Sequence, residues 1–409
     1  MLLSVQSGKT PNVRGENLNL KTQPPMQGRP STRTSGKPTA TAQILALAAS
    51  AAMLAGCGLF SGPTPTPSRG NSTSGTSIST VTAAPSPTPG LVRSVTLVAT
   101  IGEPADWTPA GLTWRGVKAA ATQFGASSSV AVPATSAALP AILETAASGQ
   151  GAVIFTVGPD DDAAVRVAAG AHPSAQFFEM DVAVPSDAPG NVHGVVFDEA
   201  EAGYLGGYVA AAFSASNKIG IVGDGKTDPR SANYLAGYKN GAAQAKPGIT
   251  ASPAYAGGSD APASGRTAAA GLVAAGNDVL MAMYTLSGIG ALREACKSST
   301  KVVAVDTDAW HTVPDIGPCL IASVMKQYDS AASAAIVAAS SGGTMPRLFM
   351  NDLSNGGITV SSFHQDLPAG LQAGLDALIA TLRSGPPRPT PVSLATASSK
   401  PSAQPSASK

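Results

Sequence analysis

A glycine-rich stretch at residues 218–229, KIGIVGDGKTDP, holds the side chains best suited to phosphate chemistry. Residues 220–227 match the pattern G-x-x-x-x-G-K-[ST], in which backbone N–H groups and the lysine cradle phosphates in many ATPases. A working loop of this type has its first glycine just past a strand and begins a helix at the Gly-Lys-Thr. Here Gly220 falls inside an apolar strand candidate, and Pro229 favours a turn or a first helical turn after Thr227. We therefore expect a loop on the rim of a cleft rather than a nucleotide site.

The other reactive side chains do not form the patterns of an enzyme or a metal protein. The four histidines lie far apart without metal-ligand spacing, and the chain has no G-x-S-x-G nucleophile elbow. Three aspartates at residues 160–162 follow an apolar run, and we interpret them as acids at a helix start rather than a cation site. A formal net charge of +1 with 12% charged residues offers no basic face for nucleic acid. We expect no catalytic residue, no metal, no cofactor and no nucleic-acid partner.

The N-terminal region has the order of parts of an export signal. Six basic side chains and one acid precede an apolar run, ILALAASAAMLAGC, that ends at Cys57. This run is shorter than the roughly 20 residues that cross a bilayer comfortably. Its last four residues resemble the lipobox of bacterial lipoproteins, which implies cleavage after residue 56 and a lipid on the Cys57 thiol. We expect a lipid-anchored protein on the extracytoplasmic face of the bacterial cell membrane; the alternative is a buried N-terminal helix in a cytosolic protein.

Composition then divides the chain into segments. Residues 57–92 and 386–409 are rich in proline, serine and threonine, and they hold too little apolar surface to offset the entropy of ordering. We interpret them as a disordered tether and a disordered tail around a folded region at 93–385. With Cys57 assigned to lipid, Cys296 and Cys319 form either one disulfide or two buried thiols.

Within the folded region, short apolar runs such as GAVIFTVG alternate with alanine-rich segments of helix length. Strands that are apolar throughout indicate sheets covered by helices on both faces, and the alternation indicates parallel βαβ units. We predict an α/β fold with two doubly wound parallel-sheet lobes. The first lobe is expected at about 93–212, with return segments after about 320, and the second at about 213–319. Ligands of such sheets bind beyond the carboxyl ends of the strands.

Four stretches resemble the basic membrane protein (PnrA-like) family. VVFDEAEAGYLGGYVAAAF at 195–213 resembles the family pattern F-x-x-x-E-x-x-Y-L-x-G-x-x-A. It is followed in order by KIGIVG at 218–223, GNDVL at 276–280 and VVAVDTD at 302–308, the last with a later K-x-x-D. The resemblance implies a substrate-binding lipoprotein of an ABC importer, with a type I periplasmic-binding-protein fold whose hinged lobes close over a small ligand. The better understood members bind purine nucleosides and pass them to a membrane permease.

The resemblance also implies which residues contact the ligand. Trp107 stands where the family has a stacking aromatic, with Asp106 or Glu103 in the place of a family aspartate. This chain has two extra residues before the family's W-x-G. The further implied contacts are Tyr234 as a second stacking ring, Asp306 on the ribose hydroxyls, Lys326 on the sugar, Asp181 on the base, and Tyr284 and Trp310 lining the pocket.

Two other functions stay open at this level. The same fold serves receptors for sugars and signalling molecules. The changed spacing around Trp107 leaves a ligand of one of these classes as an alternative. A surface lipoprotein with an adhesive or structural role would carry the same signal and tether.

Overall fold

The computed structural model describes residues 91–100 and 104–384 of the 409-residue chain. The predicted export signal, Cys57, the tether up to residue 90, the tail and Glu103 lie outside these residues. The strands are β1 (Ser94–Val98), β2 (Ser127–Ala131), β3 (Ala152–Val157), β4 (Gln176–Met180), β5 (Val192–Phe197), β6 (Lys218–Gly223), β7 (Thr250–Tyr255), β8 (Val279–Ala282), β9 (Lys301–Asp306), β10 (Leu320–Lys326), β11 (Leu348–Asn351) and β12 (Ile358–Val360). The helices are α1 (Pro109–Phe124), α2 (Leu139–Ala147), α3 (Asp162–Ala171), α4 (Glu199–Phe213), α5 (Pro229–Ala245), α6 (Pro262–Ala274), α7 (Leu286–Lys297), α8 (Ala309–Thr312), α9 (Tyr328–Ser340) and α10 (Leu371–Ser384).

The strands form two six-stranded sheets, one in each lobe. The first sheet has the order β11-β5-β4-β3-β1-β2, with all of its strands parallel. The second has the order β12-β10-β9-β8-β6-β7 and is parallel except at β12, which runs antiparallel to β10. The α/β fold with parallel sheets that the sequence predicts is confirmed.

The inner strands are buried over their whole length. All six residues of β3 and all six of β5 are buried, as expected for sheets that carry helices on both faces. Within the described ranges, no helix combines the length and the apolar character that a membrane span needs.

The chain passes between the sheets three times: at Asp198, at Gln327 and in residues 352–357. After the first crossing, α4 packs on α5 and against β8 and β9 of the second sheet; after the second, α9 packs on α1 of the first lobe. The predicted lobe boundaries near residues 212 and 319 therefore differ from the structure. The first falls later than the actual crossing, and the second falls earlier because β10 still pairs with β9.

Glycines bring α4 and α5 into backbone contact. A Cβ atom on Gly207 would lie 2.0 Å from the carbonyl oxygen of Tyr238, and one on Gly237 would lie 1.9 Å from that of Ala200. Only glycine permits this approach. The contact sets the first residue of α4, Glu199, against the first turn of α5, and both helix starts lie at the edge where the lobes meet.

Cys296, near the end of α7, and Cys319, directly before β10, are joined by a disulfide. The bond encloses a segment that holds β9 and α8. A cross-link of this kind stabilises chiefly by restricting the unfolded chain, and here it restricts the segment that presents Asp306 at the end of β9.

Glu179 is a buried carboxyl in β4, two residues before Asp181. It is fully buried, and neither of its carboxyl oxygens has a hydrogen-bond partner among the described residues. Burial raises the pKa of Glu179 to about 8, and the neighbouring Asp162 and Asp161 add to this, while Arg166 opposes it. Glu179 is therefore largely protonated in the folded protein at neutral pH.

This carboxyl should make stability depend on pH. Because its folded-state pKa lies above the unfolded value, its contribution is complete below the unfolded pKa and is lost as pH rises toward 8. Since one pKa unit corresponds to about 1.4 kcal/mol, we expect the unfolding free energy of the wild type to fall by a few kcal/mol more between pH 5 and pH 9 than that of Glu179→Gln. Urea unfolding at a series of pH values measures this difference. The matched Glu294→Gln change on α7 should follow the wild type, and parallel curves for Glu179→Gln and the wild type would contradict the assignment.

Candidate functional site

Three charged residues at strand ends meet between the two sheets. Asp181 follows β4 directly, Asp306 is the last residue of β9, and Lys326 is the last residue of β10. The Lys326 ammonium nitrogen lies 2.8 and 2.9 Å from the two carboxylate oxygens of Asp181, and 3.2 Å from Oδ1 of Asp306. Asp181 comes from the first lobe and the other two from the second, so the cluster lies where the lobes face each other.

Lys326 has no exposed side-chain surface, and its charge is balanced by neighbouring carboxylates. Besides the two aspartates, Oε1 of Glu199 lies 3.5 Å from its ammonium nitrogen. Burial alone would lower the pKa of Lys326, but Asp181, Asp306 and Glu199 together raise it. Lys326 is therefore a permanent cation at the centre of the site.

Arg230 is a second cation in the cluster, and it is not among the site residues predicted from the sequence. Its Nη2 lies 3.2 Å from Oδ2 of Asp181 and 3.4 Å from Oδ2 of Asp306, so it links the lobes through both aspartates. Arg230 follows Pro229, the first residue of α5. A cation is unfavourable in the first turn of a helix, where the helix dipole is positive. That mismatch is the one sequence signal that distinguishes Arg230 from a surface arginine.

The carboxyls of the cluster differ in their proton affinity. For Asp181, burial acts to raise the pKa, but Lys326 and Arg230 outweigh it and hold the pKa below its usual value. For Glu199, burial raises the pKa, and the nearby cations do not fully offset this. Asp181 is thus the firmly ionised acceptor, whereas Glu199 is shifted toward its neutral form.

Asp181 and Asp306 occupy equivalent places in the two lobes. Each lies at the end of the third strand in the order of its sheet, and each has a left-handed backbone, with φ of 63° at Asp181 and 71° at Asp306. Aspartate tolerates this conformation better than most residues, and such positions concentrate at ligand sites. The paired geometry directs one carboxylate from each lobe into the space between them.

Two buried tyrosines donate hydrogen bonds to these aspartates. The Tyr234 hydroxyl donates a hydrogen bond to Oδ1 of Asp306, and the Tyr328 hydroxyl donates one to Oδ2 of Asp181 at 3.3 Å. The expected role of Tyr234 as a stacking ring does not match this placement, because its ring is fully buried. It lies on the inner side of α5, beside the glycine contact with α4, and it orients Asp306.

Trp107 lies at the edge of the cleft, in the loop after β1. It is 37% exposed and has a left-handed backbone, with φ of 70°. Its ring stacks on His311 of α8 in the second lobe, with centroids 4.1 Å apart and planes 12° apart. Asp106 is exposed beside it in the same loop. Trp107 and Asp106 are therefore exposed, whereas Asp306 and Lys326 of the charged cluster are buried.

The two remaining predicted residues, Tyr284 and Trp310, belong to the second lobe. Tyr284 is partly buried against the smaller apolar cluster of that lobe, and burial raises its pKa. Trp310 stacks on His364 within the same lobe, with centroids 4.2 Å apart. The Asp308 carboxylate accepts a hydrogen bond from the backbone N–H of Trp310 at the start of α8, which is a capping role.

The glycine-rich stretch does not have the arrangement of a phosphate loop. Gly220 lies within β6, and α5 begins at Pro229 with Asp228 as its cap, after the Gly-Lys-Thr. The Asp224 carboxylate accepts a hydrogen bond from the Thr285 hydroxyl at 2.7 Å. The stretch thus forms the loop that leads from β6 to Arg230.

Comparison with known proteins identifies one family. The family model for ABC transporter substrate-binding proteins of the PnrA-like type matches residues 110–368, which is more than half of the chain. That range includes Asp181, Arg230, Asp306 and Lys326, and it begins just after Trp107.

Curated relatives and solved structures agree with this match. The ABC transporter nucleoside-binding protein BmpA of Lactococcus lactis is 30% identical over 164 residues, which are 38% of this chain and 46% of that protein. Basic membrane protein A of Borreliella burgdorferi is 30% identical over 166 residues, 40% of this chain and 49% of that protein. The matches thus span just under half of each relative. An ABC transporter solute-binding protein from Conexibacter woesei has the same fold, with a TM-score of 0.59 and 22% identity over 73% of this chain and 99% of that chain.

Removing the central cation should destabilise the whole molecule. Lys326→Met keeps the length of the side chain but leaves buried carboxylates without their main partner, so we expect the unfolding free energy to fall by about 3–5 kcal/mol. Chemical denaturation measures this change. Lys239→Met, at an exposed position of α5, is the control and should change stability little. A loss below about 1 kcal/mol for Lys326→Met would mean that this charge cluster does not hold the lobes.

Proposed function

Because the chain belongs to the PnrA-like family of ABC transporter substrate-binding proteins, we propose that it binds a purine nucleoside between its lobes and delivers it to an ABC permease. The observation that carries this proposal is the pair of strand-end aspartates, Asp181 and Asp306, which reach the same cation from opposite lobes.

Carboxylates suit the hydroxyls of a sugar. An ionised carboxylate only accepts hydrogen bonds and has about four acceptor positions. Tyr234 and Arg230 donate hydrogen bonds to Asp306, which leaves roughly two acceptor positions for the hydroxyls of a ligand beside the ammonium of Lys326. In this proposal the ribose lies against Asp306 and Lys326, and Asp181 receives a polar group of the ligand from the other lobe. A ligand that bonds to both lobes favours their closure about the three crossings.

The base would lie toward the cleft edge, where Trp107 presents an exposed indole. Stacking of a base on an aromatic side chain is worth roughly 1–3 kcal/mol. The name of the Lactococcus lactis relative, a nucleoside-binding protein, supports the same ligand class. A free sugar would use the aspartates but leave Trp107 without a flat partner.

We further propose that the protein is held at the extracytoplasmic face of the cell membrane by a lipid on Cys57. The tether at 57–92 would then let the lobes reach a permease in the same membrane. This arrangement keeps the ligand-loaded receptor close to the transporter and raises its effective concentration there.

The ligand proposal is tested by thermal unfolding and calorimetry. A ligand that binds only the native state raises the melting temperature by mass action, so we expect adenosine, guanosine or inosine to raise it and ribose or magnesium-ATP to leave it unchanged.

Asp306→Asn keeps the acceptor for Tyr234 but removes the charge that receives the diol. Because hydrogen bonds to charged groups contribute about 1.5–3 kcal/mol, nucleoside affinity should fall roughly 10- to 100-fold. Asp315→Asn, at an exposed ion pair of the same lobe, is the control. No response to any nucleoside, or full affinity in Asp306→Asn, would refute the proposal.

The anchor is tested by cell fractionation. Cys57→Ser removes the thiol that would carry the lipid, so the protein should move from the membrane fraction to the soluble fraction. The double change Cys296→Ser with Cys319→Ser serves as the control, since it removes the other two thiols and should leave the protein with the membrane. Membrane retention of a Cys57→Ser protein from which the export signal has been removed would exclude a lipid at this residue.

A further inference from the structure

We infer that His311 contacts the ligand directly, as the second face of an aromatic clamp whose first face is Trp107. The clamp takes a flat heteroaromatic ring between an indole on one lobe and an imidazole on the other. This inference deepens the proposed function, on which it rests in treating a flat ring as part of the ligand.

The two rings belong to different lobes. Trp107 follows β1 of the first sheet, and His311 lies in α8, after β9 of the second. The rings are stacked with centroids 4.1 Å apart, yet Trp107 is 37% exposed and the His311 side chain 41% exposed. This contact therefore crosses the cleft and is open to solvent, in contrast to the buried ring of Tyr234.

The backbone around Trp107 holds the indole in a strained position. A left-handed conformation, with φ of 70°, is unusual for a bulky residue, costs of order 1–3 kcal/mol and is concentrated at ligand clamps. The chain is fixed directly afterwards by Thr108, which caps α1, and by Pro109 at the first helical position. The strained residue lies in a turn in which the Ala105 carbonyl accepts hydrogen bonds from the backbone N–H and the hydroxyl of Thr108.

Arg115 fastens the indole to the first lobe. Its guanidinium carbon lies 5.5 Å from the centroid of the Trp107 ring. The same guanidinium donates to Oδ2 of Asp329 in α9 from Nε at 3.0 Å and from Nη2 at 2.7 Å. Both partners are in the first lobe, so Trp107 stays with that lobe when the cleft opens.

Lobe motion can convert the ring contact into a binding slot. Aromatic pairs have ring centroids about 4.5–7 Å apart, so a flat ring inserted between Trp107 and His311 needs about twice that separation between their centroids. Direct contact at 4.1 Å is the collapsed form of such a slot. Rotation about the three crossings separates Trp107 from His311, and closure over a ring replaces one stack with two.

A second tryptophan–histidine stack provides a matched control. Trp310 and His364 stack with centroids 4.2 Å apart and planes 7° apart, nearly the geometry of the first pair. Both belong to the second lobe, so hinge motion does not separate them. Removal of His364 therefore tests the loss of an imidazole from an indole where both rings belong to one lobe.

The test measures ligand affinity of the full chain by calorimetry, with adenosine, guanosine, inosine, free purine bases and ribose as probes. We expect His311→Ala to weaken the binding of the ring-containing ligands roughly 5- to 100-fold, in line with the loss of one stacking face. His311→Phe, which restores a flat face, should stay within about threefold of the wild type. His364→Ala should match the wild type, and any ribose binding should not change with either His311 variant.

The outcomes separate the two proposals. Nucleoside binding that survives His311→Ala at full strength overturns the clamp and leaves the nucleoside proposal intact. If the free bases bind and nucleosides do not, and the binding depends on His311, then the clamp holds and the nucleoside proposal fails. Equal losses in His311→Ala and His364→Ala would show a general structural effect and overturn the clamp. If no flat ring binds the wild type, both are overturned.

Discussion

The buried ammonium of Lys326 is the constraint on which the rest of the site depends. A charge without water or partners would cost more than a folded protein can offset, so this one requires carboxylates at contact distance. One of them, Asp181, comes from the first lobe, and Asp306 and Glu199 come with the second. Electrostatic balance is therefore complete only when the lobes are together. The left-handed aspartates, their tyrosine supports and the glycine contact between α4 and α5 all serve to bring these groups to one point.

Much of this architecture could be predicted from the sequence. The apolar runs and helix-length segments indicated two parallel sheets, and the resemblance to the PnrA-like family indicated a ligand contact at Asp306. The lobe boundaries could not be predicted as well. The apolar character of α4 and β10 shows that they are buried, but it does not show which sheet they pack against. The two predicted lobe boundaries therefore differ from the crossings at Asp198 and Gln327.

The parts of the site that the sequence did not reveal depend on partners far along the chain. Tyr234 lies on the side of α5 that is buried. Only the packing of α4 against this side encloses the tyrosine ring and leaves its hydroxyl in contact with Asp306. Arg230 differs from a surface arginine only by its place in a first helical turn. His311 is distinguished by its stacking on Trp107, and most of the folded region separates the two residues in sequence. Local sequence patterns do not predict such contacts, because the contacts form only when two segments far apart in the chain meet.

The second crossing has a consequence for the order in which the protein can be completed during synthesis. α9 covers α1 of the first lobe and β11 forms the edge of its sheet, yet both lie after all the parallel strands of the second sheet. A ribosome makes the chain from its N-terminus, so the side of α1 that packs on α9 stays uncovered until most of the folded region has emerged. Neither lobe is encoded by one uninterrupted stretch of the gene. The first lobe is therefore completed only after all the parallel strands of the second have been made, and β12 then completes the second sheet, so the two lobes mature as a single unit.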